Sequence, residues 1–172
     1  MSNPAANVCL VIDEERNPAT ENATPWFMPQ YVTFTIDGTP IAKGRARSTR
    51  TGHHYTPTKT RNAEAAILAA WLEQHGARRP HDGGVAIQIR FTFEPPKSWP
   101  KWKRDAAADG QIPHLSKPDL DNLTKLVCDA LNGTAWIDDS QIHNSFSRKD
   151  YGTKANTRVT LTIFNNNKEE NK

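Results

Sequence analysis

Alternation of apolar and polar side chains is clearest in GVAIQIRFTFE. Val85, Ile87, Ile89, Phe91 and Phe93 take five consecutive same-side positions, the period-two signature of a strand with one buried face. YVTFTIDG alternates Val32, Phe34 and Ile36 against Thr33 and Thr35, then reaches an Asp37-Gly38 turn, and reads as a second strand. TRVTLTIF, with Val159, Leu161 and Ile163, reads as the last strand. Between them TAWIDDSQI is expected to be a short strand and turn, and HNSFSRKDYG a further strand with a weaker pattern.

Helical spacing appears twice. From about Thr60 to Gln74, the residues Ala63, Ile67, Leu68, Trp71 and Leu72 share one face, and Gly76 suits the exit. In KPDLDNLTKLVCDALNG, Leu123, Leu126, Val127, Ala130 and Leu131 fall at i, i+3, i+4, i+7 and i+8, and Asn132-Gly133 supplies a stop. Pro95, Pro96 and Pro100 interrupt the intervening stretch, where a short helix beginning near Ser98 fits. No internal repeat is present. The order of elements predicts an α/β (α+β) fold, a single small domain whose mixed sheet is packed by two or three helices.

Composition sharpens the boundaries. The 172-residue chain suits one domain, yet only 36% of it is apolar. The unpacked share is expected at the ends: residues 1–30 as a disordered or loosely packed extension, 165–172 as a disordered tail, and 31–164 as the domain. The net charge of +3 is uneven. Asp13, Glu14, Glu15 and Glu21 against Arg16 give residues 1–30 a charge of −3, leaving +6 for the rest. A basic body favours a polyanionic partner. Cys9 and Cys128 form no CxxC pair, which argues against a disulfide framework or a zinc knuckle. No secretory signal or membrane span is read: VCLVI is too short and meets DEE at once. A soluble, cytoplasmic protein is expected.

Two segments carry candidate chemistry. IAKGRARSTRTGHHYTPTKTR holds Lys43, Arg45, Arg47, Arg50, Lys59 and Arg61 with no acid. It is either a phosphate-contacting surface or a solvated loop. The second segment is the KPDLDNLTK helix start. Asp at such a place is ordinarily a cap, and Asp121 with Lys125 four residues on is an ordinary surface pair. Here, however, Asp119 and Asp121 precede a core helix that a second acidic pair, Asp138-Asp139, follows. In an extended lead-in the first two carboxylates point one way, with Asp121 or Asn122 as the N-cap. A chain returning after Gly133 would bring Asp138 or Asp139 back towards them. Oxygen-only ligands suit Mg²⁺ or Mn²⁺. Asp129, on the same helix, is given no catalytic part.

KPDLDNLTK, DALNG and WIDDSQI, in that order and spacing, resemble the RusA family of Holliday-junction resolvases. GTPIAKGRARST with YTPTKT is similar to the family's basic segment, PPKSWPKWKR to its loop before the catalytic block, and RKDYG fits after it. The resemblance spans roughly residues 31–164. It implies a small dimeric α/β domain, dependent on Mg²⁺, that cuts branched DNA such as a four-way junction during recombination and repair. By motif, Asp119 and Asp121 match the DxD pair, Lys125 the lysine of DNxxK, and Asp139 the third essential carboxylate, with Asp138 a weaker candidate. Relatives often have proline where this chain has Ala46. Two other readings stand beside the resolvase: a metal nuclease for flaps or forks, and a basic DNA-binding module without chemistry.

Overall fold

The alternating segment GVAIQIRFTF is an inner strand of a four-stranded sheet. The computed structural model describes residues 29–44 and 57–164, with the backbone only of Arg47–Ser48 and His54–Tyr55. The expectations for the N-terminal extension and the C-terminal tail therefore lie almost wholly outside the described residues. In chain order the elements are β1 (Gln30–Asp37), the short pair β2 (Arg47–Ser48) and β3 (His54–Tyr55), and α1 (Thr58–His75). Then come β4 (Gly84–Phe93), α2 (Lys101–Ala108), α3 (Leu120–Leu131), a 3₁₀ turn (Asp139–Gln141), β5 (Ile142–Tyr151) and β6 (Asn156–Phe164).

The strand order is β1-β6-β4-β5. β6 runs antiparallel to both β1 and β4, while β4 and β5 are parallel. A parallel pair needs a long crossover, and that crossover contains α2 and α3. The expected single α+β domain with a mixed sheet is thus the observed one. Phe34, Val85, Ile87, Ile89, Phe91, Val159 and Leu161 point to one face of the sheet and are buried. Against them α1 sets Ala63, Ile67 and Trp71, and α3 sets Leu123, Leu126, Val127 and Leu131.

Helix α1 also guards an edge. The amide of Gln74 accepts from Thr35 N at 3.1 Å and donates to Thr35 O at 2.9 Å, and His75 Nε2 donates to Thr33 O at 3.2 Å. The outer backbone groups of β1 are bonded there, which removes a template for pairing with another strand. Its buried face is Thr60, Ala63, Ile67 and Trp71, whereas Leu72, expected inside, is 39% exposed.

Two expectations are corrected. TAWIDDSQI forms the expected turn but no strand of its own, its last residue, Ile142, opening β5; Trp136 makes only isolated bridges with His81 and Asn132 before the 3₁₀ turn. Side-chain bonding explains this. Asp138 Oδ1 accepts from Ser140 N, and Gln141 Oε1 accepts from the N–H groups of Ile137 and Asp138, so a capped turn replaces a ladder. Helix α3, moreover, starts earlier than expected. Asp119 is its N-cap and Leu120 its first residue, so Asp121 lies in the first turn and not in an extended lead-in. The end is as expected: Asn132 is the C-cap, and Gly133 follows with φ of 74°, where only glycine avoids a Cβ penalty.

Candidate active site

The polar residues that matter sit on the covered face of the sheet, where the core runs out at β5. The register aligns Ser145 with Ile87, Ser147 with Ile89 and Lys149 with Phe91. Three polar side chains thus continue rows that are apolar on the neighbouring strand, on the face that α3 covers. Ser145 and Ser147 border a hollow with Leu120, Asp121, Thr124 and Lys125 of α3. Ser147 Oγ is buried and lacks a hydrogen-bond partner.

Asp119 opens on a different recess. This cleft, about 830 Å³, places it with Lys43, Lys59, Lys117 and Asn122, above Phe93. Asp119, Asp121 and Lys125 are all exposed, and none has a side-chain hydrogen bond or ion pair among the described residues. Asp119 is an N-cap by backbone geometry but makes no capping bond with its side chain. Both carboxylates lie at the helix end whose partial positive charge favours anions.

Asp139 is placed elsewhere along α3. Its Oδ1 accepts from the indole N–H of fully buried Trp136 at 2.9 Å. It also lies close enough to Cys128, two turns beyond Asp121, to raise that thiol. Burial first, then Asp139, then Asp129, pushes the Cys128 pKa up to about 11. Hydrogen bonds from the Ser140 side chain and backbone hold the Asp138 carboxyl below its ordinary value; Asp138 serves as the cap of the turn. Among the described residues no three His, Cys, Asp or Glu side chains are grouped as a metal site. The structure brings Asp121 to Lys125 and Asp119 to the lysine-lined cleft.

Several residues outside the expected set hold this arrangement. Lys149 Nζ donates to Ser116 O and Pro118 O, each at 2.8 Å, pinning the segment that delivers Asp119. Gln141 Nε2 donates to His81 O and Gly83 O at 2.9 and 2.7 Å, tying the Asp138-Asp139 turn to the start of β4. The sequence signal for both was their place in RKDYG and WIDDSQI. Trp99 packs edge-on to Tyr151 with Lys103 over its ring at 4.0 Å, while Trp102 is 70% exposed.

The basic segment divides. Lys43 N donates to Asn122 O at 3.0 Å, and its ammonium is ion-paired with Asp129, with Glu64 at 3.9 Å. Asp129 therefore anchors the segment to α3. Gly44 N donates to Thr60 Oγ1, and a Cβ at Gly44 would meet that oxygen at 3.0 Å, so the close approach needs glycine. Lys59 and Arg61 stand exposed in the first turn of α1. Arg45 and Arg50 lie outside the described residues, and Arg47 is described only as backbone in β2. No helix among the described residues is long and apolar enough to cross a membrane.

Comparison with known proteins supplies the family. The family model described as "Endodeoxyribonuclease RusA" matches residues 37–163. An uncharacterized protein of Bacillus subtilis (strain 168), YqaN, is 33% identical over 135 residues, covering 76% of this chain and 94% of the relative.

Proposed function

Since the chain belongs to the RusA endodeoxyribonuclease family, we propose that it is a Mg²⁺-dependent nuclease that resolves four-way DNA junctions. The observation that carries this reading is the set Asp119, Asp121 and Lys125, charged and without side-chain partners among the described residues, at one helix end beside a cleft lined by lysines. Exposed and free of protein bonds among the described residues, these side chains are available to a ligand. The donor chemistry of Asp119 and Asp121 suits a hard divalent cation, since their carboxylate oxygens have no competing protein bond among the described residues. Asp119 and Asp121 would hold it, and Asp139, whose Oδ1 is already bonded to the Trp136 indole and which is not grouped with them, is proposed as a third carboxylate only through Oδ2. A bound cation stabilises negative charge on a transferring phosphoryl group and lowers the pKa of its water.

The chain's own side chains do the rest. Lys125 Nζ sets a positive charge beside Asp121, where it neutralises charge developing on the scissile phosphate. Lys59 and Lys117 line the neighbouring cleft and take the DNA backbone that leads to it, joined by Arg61 and by the arginines Arg45, Arg47 and Arg50. Lys43 acts through its tie to Asp129, holding the basic segment against α3. Lys149 fixes the approach to Asp119 from below.

A four-way junction has near two-fold symmetry, and resolving it needs two symmetric nicks. A C2 homodimer presents two sites at once. Function inside the cell in recombination and repair follows from that substrate. The test is a labelled four-way junction beside flap, fork and linear substrates, with and without Mg²⁺. Paired nicks on the junction that vanish in EDTA and in Asp119→Asn support the reading. Equal cutting of flaps or forks makes it a broader branched-DNA nuclease, and tight binding without cutting makes it a binding module.

A further inference from the structure

The face of the sheet turned away from α1 and α3 carries a row made almost entirely of positive charge. Arg158 on β6 is paired with Arg90 on β4, and Arg90 with Arg148 on β5. Thr35 on β1 completes the row. The three arginines are remote in sequence, and only the strand register sets them abreast. Like charges directly opposite one another destabilise a sheet, so folding gains nothing from this arrangement.

One carboxylate stands beside the row. Asp150 Oδ2 accepts from Arg90 Nε at 2.9 Å and from Arg148 Nε at 2.6 Å. Arg158 has no ion pair among the described residues. Three arginines against one aspartate leave a net charge of +2. Both bonds run through Nε to one oxygen of Asp150, which brings two guanidinium groups together and leaves their Nη donors with no hydrogen bond among the described residues. Paired N–H donors of this kind are what arginine uses to take a phosphate. A recess of about 250 Å³ lies here, lined by Gln88, Arg90, Arg148, Arg158 and Thr160. In the adjoining row Phe146, opposite Gln88, is 54% exposed.

We propose that this row is a second phosphate-binding surface, which takes the sugar–phosphate backbone of a DNA arm other than the one at α3. The inference rests on the nuclease reading above and extends it. The sheet separates the row from the α3 site, so one straight duplex cannot lie along both. Arms of a branched DNA leave the branch point in different directions and can. Charge complementarity selects the occupant. A second copy docked isologously would add like charge to like charge, whereas a DNA backbone supplies the missing anions.

The experiment compares wild type with Arg90→Gln/Arg148→Gln/Arg158→Gln in EDTA, by fluorescence anisotropy. The probes are a labelled four-way junction and a linear duplex of the same arm sequence. Junction affinity should fall at least about tenfold at ~0.1 M salt, and the slope of log K against log salt should shrink by about 2 to 3. Duplex affinity should move less than about twofold, because that duplex uses the α3 side. Arg158→Gln alone, which breaks no ion pair, serves where the triple variant does not fold. It should weaken junction binding while raising Tm, a combination that a packing role does not give. Unchanged junction affinity and slope overturn the proposal. So does an equal loss on the linear duplex, which would make the row general charge. A change in the sedimentation of the free protein also overturns it, by making the face an interface between copies. Cleavage in Mg²⁺ is scored separately: a wild type that cuts nothing defeats the nuclease reading, while binding in EDTA still decides the row.

Discussion

The two faces of the sheet obey opposite rules. On the face under α1 and α3, apolar side chains are the default, so Ser145, Ser147 and Lys149 are exceptions that need a reason. Each has one: two border the hollow of Asp121 and Lys125, and the third pins the chain ahead of Asp119. On the open face polar side chains are the default, and no single one is informative. There only the arrangement speaks, as three arginines abreast with one carboxylate between two of them. A covered face is read residue by residue, an open face row by row.

The largest expected effect separates chemistry from affinity. Asp119→Asn or Asp121→Asn should lower the single-turnover cleavage rate by more than about 10²-fold, since several kcal/mol of charge stabilisation are withdrawn. Junction binding should hold or tighten. The triple arginine variant on the open face should do the reverse, cutting at the wild-type rate once DNA is saturating. If an Asn variant cuts normally, that aspartate leaves the site and the contrast between faces with it.

Packing gives the next contrast. Leu123→Ala on the covered side should cost about 2–5 kcal/mol in urea unfolding, as a fully buried leucine leaves a cavity. Gln88→Ala on the open side should stay within about 0.5 kcal/mol. Similar losses at both would show that the open face is covered in solution.

Asp139 lets charge and scaffold be told apart. Asp139→Ala strands the indole N–H of buried Trp136 and should cost about 1–3 kcal/mol. Asp139→Asn keeps the acceptor, so stability should hold while cleavage falls. Unfolding curves beside cleavage assays on both variants decide this; an active Asn variant would reduce Asp139 to scaffolding.

The smallest effect is a pH dependence. His114 is buried between Phe93 and Tyr151, with ring centroids at 4.3 and 4.7 Å. Burial first, then the charge of Lys149, holds its pKa below the ordinary 6.5. The unfolded chain therefore binds this proton more readily than the folded one. Stability from this source is complete above 6.5 and is lost as pH falls through 6.5 towards the lowered folded value. The urea midpoint should drop between about pH 7.5 and pH 5.5, and less steeply in His114→Gln. Parallel curves for the two proteins would remove His114 as the source.

Much of the fold is legible because β4 and α3 bury one regular stripe each. Strand β5 is harder. Its covered side is serine and lysine and its open side carries Phe146, so alternation in HNSFSRKDY is nearly inverted by the site it serves. In α1, Leu72 follows helical spacing but ends up exposed, because Gln74 and His75 turn that last stretch to the edge of β1. At the site, Asp119, Asp121 and Lys125 are named by motif, and the structure adds that they have no side-chain partners among the described residues. Invisible in the sequence are the Lys43–Asp129 tie and the arginine row, since both join residues that only tertiary structure makes neighbours. Of the basic segment's arginines, Arg45, Arg47 and Arg50 have no described side chains, while Arg61 lies in the first turn of α1.

The position of β6 has a consequence for synthesis. Among the described residues it is the last strand in chain order, yet it lies between β1 and β4 and joins them in the sheet. During translation β1, α1, β4, α3 and β5 all leave the ribosome before the strand that joins them. Until Asn156–Phe164 emerges, β1 has no partner strand, and α3 has no complete sheet to lie on. A nascent chain thus carries its acids and lysines into the cell without the floor that positions them. Premature termination ahead of Asn156 leaves a fragment that lacks the strand joining β1 to β4.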